Sequence, residues 1–154
     1  MSPLVECWDT LVNANFNQET LEMGPLVNYS KDRLPPQFHM MFFTNETNEV
    51  LFRTDGLPMA VQPDGRTQVD PTTSEPIYSD QPALLAFIKD EKNYRQFITS
   101  HMNAIYRKKL VRKDFLLYPG SSTQDRSIIQ SLRDYVFDQN TIKLKIFYSR
   151  SRSL

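Results

Sequence analysis

The chain has one cysteine (Cys7), two histidines (His39 and His101) and four glycines in 154 residues. A lone cysteine excludes an internal disulfide framework and any zinc site built from several thiolates. With two histidines, a metal site would need carboxylates to complete it. So few glycines leave almost no material for a glycine-rich phosphate loop, whereas 10 prolines mark several stiff turns. No apolar run approaches the roughly 20 residues of a membrane-spanning helix. Near the N-terminus, Glu6 and Asp9 stand where a signal peptide would be apolar. The expectation is an intracellular protein, cytoplasmic or nuclear, with no membrane contact and no cofactor.

What the chain does have is an uneven distribution of charge. Its formal net charge is zero, from 18 basic and 18 acidic residues. Through Asp90 the basic residues are only Lys31, Arg33, Arg53, Arg66 and Lys89, against 13 acids. From Glu91 onward 13 lysines and arginines face only Glu91, Asp114, Asp125, Asp134 and Asp138. An acidic front and a basic back point either to one face that meets something negative or to two halves that meet each other. The 10 Phe, 7 Tyr and 1 Trp argue against wholesale disorder. The length suits one domain, expected over residues 1–149, with 150–154 as a mobile tail.

Ser2 followed by Pro3 is a helix start, and Leu4, Trp8 and Leu11 repeat at helical spacing, which predicts a short helix over 3–13. Amides over 13–18 break it, and 19–35 reads as irregular. The aromatic run 37–43, a second strand at 50–53 and the short apolar run 57–61 between Asp55-Gly56 and Pro63-Asp64-Gly65 read as an antiparallel meander. Residues 63–82, with Pro63, Pro71, Pro76 and Pro82, read as a long surface loop.

The second half changes period. Asp80 and Pro82 signal a helix start. Apolar residues from Leu84 to Ile105 recur at three-and-four spacing, with Glu91 forcing either a break near Asp90 or a buried pair. A strand at 114–118, a helix over 123–137 and a strand in which Ile142, Leu144, Ile146 and Tyr148 alternate with Lys143, Lys145 and Phe147 complete the reading. Strand, helix, strand over 114–148 fits a right-handed parallel crossover. The expected fold class is α+β: one mainly antiparallel sheet, helices packed on one side, and a βαβ crossover near the C-terminus.

Three sets of residues carry chemistry. Arg107, Lys108, Lys109, Arg112 and Lys113 fall within seven residues and are bracketed by Tyr106 and Phe115. Cations displace condensed counterions from a phosphate backbone and neighbouring aromatics stack on bases. Lys143 and Lys145 extend that surface if the last strand lies beside it. The plain alternative is a solvated helix end, where cations favour the negative end of the macrodipole. The second set, Ser121, Ser122, Thr123 and Arg126, sits between a strand and a helix. It reads as an anion site or, more simply, as a helix cap.

The third set is a metal alternative: Asp64, Glu75 and Lys89 or Lys92, with His39 upstream, follow the order of the PD-(D/E)xK nuclease arrangement. Glu75 precedes Pro76 in a proline-rich loop rather than lying on a core strand, so the match is one of order alone and no family is recognised. Cys7 beside Trp8 and His101 on an apolar helix face read as packed residues, not as nucleophile and base. The run from Phe38 to Phe43 reads as core strand, though it is apolar enough for a partner interface. The expectation is a non-catalytic macromolecular binding module, an adaptor or complex subunit, whose basic C-terminal surface meets nucleic acid or an acidic protein partner. The alternative is a metal-dependent nuclease-type enzyme. Nothing in the chain bears on its oligomeric state.

Overall fold

The first strand is set by alternation that is interrupted once. In the computed structural model, which describes residues 14–29, 34–44, 46–78, 82–110, 114–120, 135–136 and 138–150, β1 spans Ala14–Met23. Ala14 and Phe16 turn inward, a bulge between Phe16 and Gln18 resets the register, and the last five residues are all buried. Such burial on both faces marks a central strand. β2 (Asn28–Tyr29), β3 (Gln37–Thr44), β4 (Glu49–Val50), β5 (Leu84–Ile88) and β6 (Asn93–Phe97) follow, then helix α1 (Thr99–Tyr106). β7 (Asp114–Gly120), β8 (Tyr135–Val136), a 3-10 turn (Gln139–Thr141) and β9 (Lys143–Arg150) complete the described elements.

Seven strands form one sheet, ordered β7-β3-β5-β6-β1-β9, with β4 pairing the β5 side of β3 farther along. Every strand pairing is antiparallel. The fold is therefore mainly β, with one short helix among the described residues, and the α+β expectation is corrected accordingly. No parallel crossover joins β7 to β9, because they lie at opposite ends of the sheet. Tyr135 and Val136 belong to a strand paired with Asn28 and Tyr29, so the helix expected over 123–137 does not reach them. The rest of that helix and the expected helix over 3–13 lie outside the described residues. β9 includes Arg150, the first residue of the expected tail, and the rest of that tail lies outside the described residues.

Two further corrections share a physical cause. The stretch expected to be irregular from residue 19 begins in the middle of β1. The long helix expected from Asp80 is instead β5, a turn, β6 and then α1. Short apolar runs such as Leu84–Ile88 have helical and strand readings alike, and tertiary pairing decides between them. The charges Lys89, Asp90, Glu91 and Lys92 form the turn, with Lys92 in the left-handed region at φ 53°. Glu91 is not in a buried helical pair; it meets Arg95 at 3.2 Å near the surface. Gly24 is required where it stands: φ is +122°, and a Cβ there would come 3.0 Å from Asn93 Cβ.

The meander expectation holds. β3 and β4 form a hairpin, and Phe52↔Pro58 and Met41↔Ala60 bridges carry the 57–61 run back onto it. Residues 63–78 of the expected loop are mostly exposed, but Gln68 is buried, as is Gln62 just before it. Gln62 Nε2 donates to the carbonyls of Thr67 and Ile77, which closes the loop on itself.

The core lies on one face of the sheet, under α1. Phe38, Met40 and Phe42 of β3, Leu85 of β5, Tyr94 of β6, Leu21 and Met23 of β1, and Ile98 and Met102 at the helix form one cluster. Leu144, on the inward register of β9, packs against it. Tyr94 is the hub: fully buried, 4.8 Å from the Phe38 ring and 5.1 Å from Phe87 between centroids, its hydroxyl donating to the Pro35 carbonyl at 2.6 Å. Tyr94→Phe leaves that carbonyl unpaired and is expected to cost about 1–3 kcal/mol. Leu85→Ala opens a cavity expected to cost about 2–5 kcal/mol. Lys143→Ala, at the exposed position beside Leu144, is expected to cost less than about 0.5 kcal/mol. Denaturant melts of the three variants check the order, and a large loss at Lys143 would overturn the register of β9.

Candidate anion-binding cleft

Helix α1 is fixed at its start by two segments far apart in sequence. From β1, the Glu19 N–H donates to Thr99 Oγ1 at 3.0 Å, and the Ile98 N–H donates to the Glu19 carbonyl at 3.0 Å. From the 63–69 loop, Asp64 Oδ1 accepts the Ser100 N–H at 2.6 Å, and the Gly65 N–H donates to Ser100 Oγ at 2.8 Å. Asp64 thus caps one of the orphan donors of the first turn, where the macrodipole also favours an anion.

The far end of α1 closes in a Schellman arrangement. The Lys109 N–H reaches the Ala104 carbonyl and the Lys108 N–H reaches the Ile105 carbonyl, both at 2.9 Å. Lys108 occupies the left-handed position at φ 57°, which glycine fills more cheaply.

Between loop and helix lies a cleft of about 160 Å³. Ser100, Asn103, Ala104 and Arg107 line it from one stripe of α1, Arg66 to Val69 line it from the loop, and Lys109 closes it at the turned helix end. Arg66, Arg107 and Lys109 are all exposed side chains. Asn103 Nδ2 donates to the Phe16 carbonyl at 3.2 Å, tying the cleft to the start of β1. Nearby, Tyr106 stacks edge-on against Phe16 at 4.7 Å. Tyr148, the register partner of Phe16, carries the Arg150 guanidinium 5.7 Å from its ring centroid.

The structure sorts the residues expected from sequence. Arg107 and Lys109 line the cleft, and Lys108, exposed between them in sequence, does not. Arg112 and Lys113 lie outside the described residues, as do Ser121, Ser122, Thr123 and Arg126. Lys143 and Lys145 do not extend this surface. In register they oppose Glu22 and Thr20 on the face of the sheet away from α1, and Lys145 Nζ pairs with Glu22 at 2.7 Å.

The metal set is dispersed. His39 is half-buried on the outer face of β3, opposite Tyr118, and burial lowers its pKa. Asp64 caps α1, and Glu75 is exposed in a turn whose carbonyl accepts from Asp70 N–H. Lys89 and Lys92 lie at the other end of β6, roughly 17 Å from the helix start by strand rise. Among the described residues no group of three or more His, Cys, Asp or Glu is placed to hold a metal ion.

One residue lining the cleft and one buried carboxyl beneath the helix were missed from sequence. Arg66 is an isolated cation in an acidic half, and only the turn dipeptide before it, Asp64-Gly65, marks it as a residue on display. Glu19 has no accessible surface and neither carboxylate oxygen has a hydrogen-bond partner. Burial, and secondarily the Asp64 charge, push its pKa up to about 8. No alternation separates it from Glu22, whose carboxylate does find a cation. His101, one turn into α1, packs its ring 5.8 Å from Phe42, and burial lowers its pKa to about 4. Both groups are neutral near pH 7. Both are buried beneath or within α1. Comparison with protein-family models, curated proteins and solved structures finds no match to this chain.

Glu19 and His101 give stability opposite pH dependences. Glu19 binds its proton more tightly folded, with a pKa of about 8 against 4.5. Its stabilising contribution is therefore complete below about pH 4.5 and is lost as pH rises through about 8. His101 binds its proton less tightly folded, so its contribution is lost as pH falls from 6.5 through about 4. Glu19→Gln is expected to flatten the alkaline limb and to be more stable than the parent at pH 8 by roughly 1–3 kcal/mol. Urea melts between pH 5 and 9 read this directly, and parallel curves for the two proteins would contradict it.

Proposed function

We propose that this chain is a non-catalytic binding module that docks a polyanionic partner, nucleic acid in the first instance, on the basic end of α1. The observation that carries the reading is convergence. Arg66 comes from the acidic half of the chain and Arg107 and Lys109 from the basic half, and all three line one cleft. A helix dipole accounts for cations at a helix C-terminus but not for an arginine brought there from a separate loop. Tyr106, Tyr148 and Arg150 at the adjoining edge of the sheet supply rings and a further cation of the kind that accompany phosphate contacts on single strands. The nuclease alternative loses its support with the dispersal of His39, Asp64 and Glu75.

Binding of this kind weakens steeply with salt, because each phosphate contact releases counterions. Lys108→Gly is the informative variant. It removes one cation while giving the left-handed position the residue that suits it, so folding stability is expected to hold or rise by about 0.5–1 kcal/mol. Its slope of log affinity against log salt is expected to fall by about one unit relative to the parent. Arg107→Glu with Lys109→Glu is expected to abolish binding. Fluorescence anisotropy with single- and double-stranded oligonucleotides between 20 and 200 mM salt, about the range over which such contacts are lost, checks both. Absence of binding at low salt, or an affinity indifferent to the double substitution, would set nucleic acid aside and leave an acidic protein surface as the partner.

A further inference from the structure

We infer that β9 docks on β9 of a second copy of this chain, the two strands pairing antiparallel about Ile146 so that two sheets continue as one. This contact is independent of the polyanion reading. Of the two edge strands, β7 is blunted by Pro119, which has no N–H to donate. β9 is eight residues long without a proline, and among the described residues no strand pairs its outer side. In an antiparallel ladder every second residue turns its N–H and C=O away from the partner strand, so the outer side of β9 presents a row of such groups. Six of the eight residues are exposed, among them Phe147 at 59% and Tyr148 at 45%. Edges of this kind are commonly guarded by lysines. Here Lys145 is drawn back onto its own sheet, its Nζ 2.7 Å from Glu22, which leaves only Lys143 at the first position of the strand.

What selects a second copy over a foreign strand is that β9 complements itself. Residues directly opposite in an antiparallel pair share a face, so a two-fold axis that continues the sheet passes through a residue and not between two. With the axis at Ile146, that residue meets its own copy, and Leu144 meets the partner's Tyr148 on the α1 side of the sheet. On the other side Lys145 meets the partner's Phe147, and Lys143 meets the partner's Ser149. Aliphatic and aromatic side chains thus face one another, and no cation faces a cation. Moving the axis to Leu144 or Lys145 sets lysine against lysine, and moving it to Phe147 sets Leu144 against Arg150. Tyr148 keeps its place on the α1 side, since strand pairing uses main-chain groups in the plane of the sheet.

Sedimentation velocity of the full chain tests the contact. Between about 1 and about 100 μM the chain is expected to pass from monomer to dimer, with a dissociation constant on the order of 10 μM, as suits a contact below standard interface size. Phe147→Lys sets a lysine opposite each Lys145 and is expected to weaken the dimer by about tenfold or more. Phe147→Glu sets a carboxylate opposite the same lysines and is expected to keep the dissociation constant within about threefold of the parent. Because Phe147 is exposed, both variants are expected to share the parent's urea midpoint at about 1 μM, where the chain is monomeric. A chain still monomeric at about 100 μM would overturn the second copy as occupant and leave the edge to a foreign strand. A dimer indifferent to Phe147→Lys would place the contact elsewhere, and one lost equally in both variants would overturn the pairing about Ile146. The parent's concentration series decides the matter even where a variant fails to fold, and none of these outcomes bears on oligonucleotide binding.

Discussion

The arrangement depends on how the first turn of α1 is held. A helix of eight residues is too short to be stable alone, so its position is borrowed from what it packs on. Ile98 and Met102 anchor one stripe in the core beneath it, and the Ser100 bonds to Asp64 and Gly65 fix its azimuth against the loop. Once that azimuth is fixed, the stripe Ser100, Asn103, Ala104 and Arg107 must face Arg66. The cleft is thus a consequence of helix docking, not an independent feature. Asp64 has the central part, since one carboxylate caps the helix, orients the loop and adds to the field that keeps Glu19 protonated.

That docking also explains why a carboxyl group without a partner is tolerated in the core. The main chain of Glu19 is fully used, its N–H by Thr99 and its carbonyl by Ile98, and this is what seats the helix on β1. Its side chain then projects beneath α1 on the inward register, opposite Ile146. A charged carboxylate there would face both low dielectric and the Asp64 anion, so the group takes up a proton instead. At the other end of the helix a second local rule is broken, with Lys108 in a conformation that glycine adopts more easily. Departures from local preference tend to gather where a protein does its work, and these two lie at opposite ends of the helix that bounds the cleft.

How far the sequence could be read follows from which signals are local. The β3 run, the hairpin after it, β7 and the alternation of Leu144 and Ile146 against Lys143 and Lys145 were legible because strand period and turn residues agree over short distances. β5 and β6 were not, because Leu84, Leu85, Phe87 and Ile88 satisfy both periods, and only the partners β3 and β1, far off in sequence, select the strand. β1 was hidden by its bulge: Asn17 and Gln18 interrupt the alternation just where the register shifts. In the site, Arg107, Lys108 and Lys109 announced themselves as a cluster. Arg66 did not, since a single arginine in a loop acquires meaning only from what the fold sets opposite it.

The division of charge along the chain resolves in the same terms. The sheet interleaves the halves, with β6 and β9 of the basic half flanking β1 of the acidic one, so the halves do not become two faces. Where cation and anion fall opposite each other across β1 and β9, they pair, as Lys145 does with Glu22, and their contribution to any outward field is small. Where the chain leaves the sheet, no such pairing is imposed. The end of α1 is the place where consecutive cations project without facing strand partners, and the loop that reaches it contributes another cation in Arg66 while committing its carboxylate, Asp64, to the helix start. A chain of zero net charge can therefore present a local positive field, because Arg107, Lys108 and Lys109 follow one another at the end of the helix, outside the seven-stranded sheet.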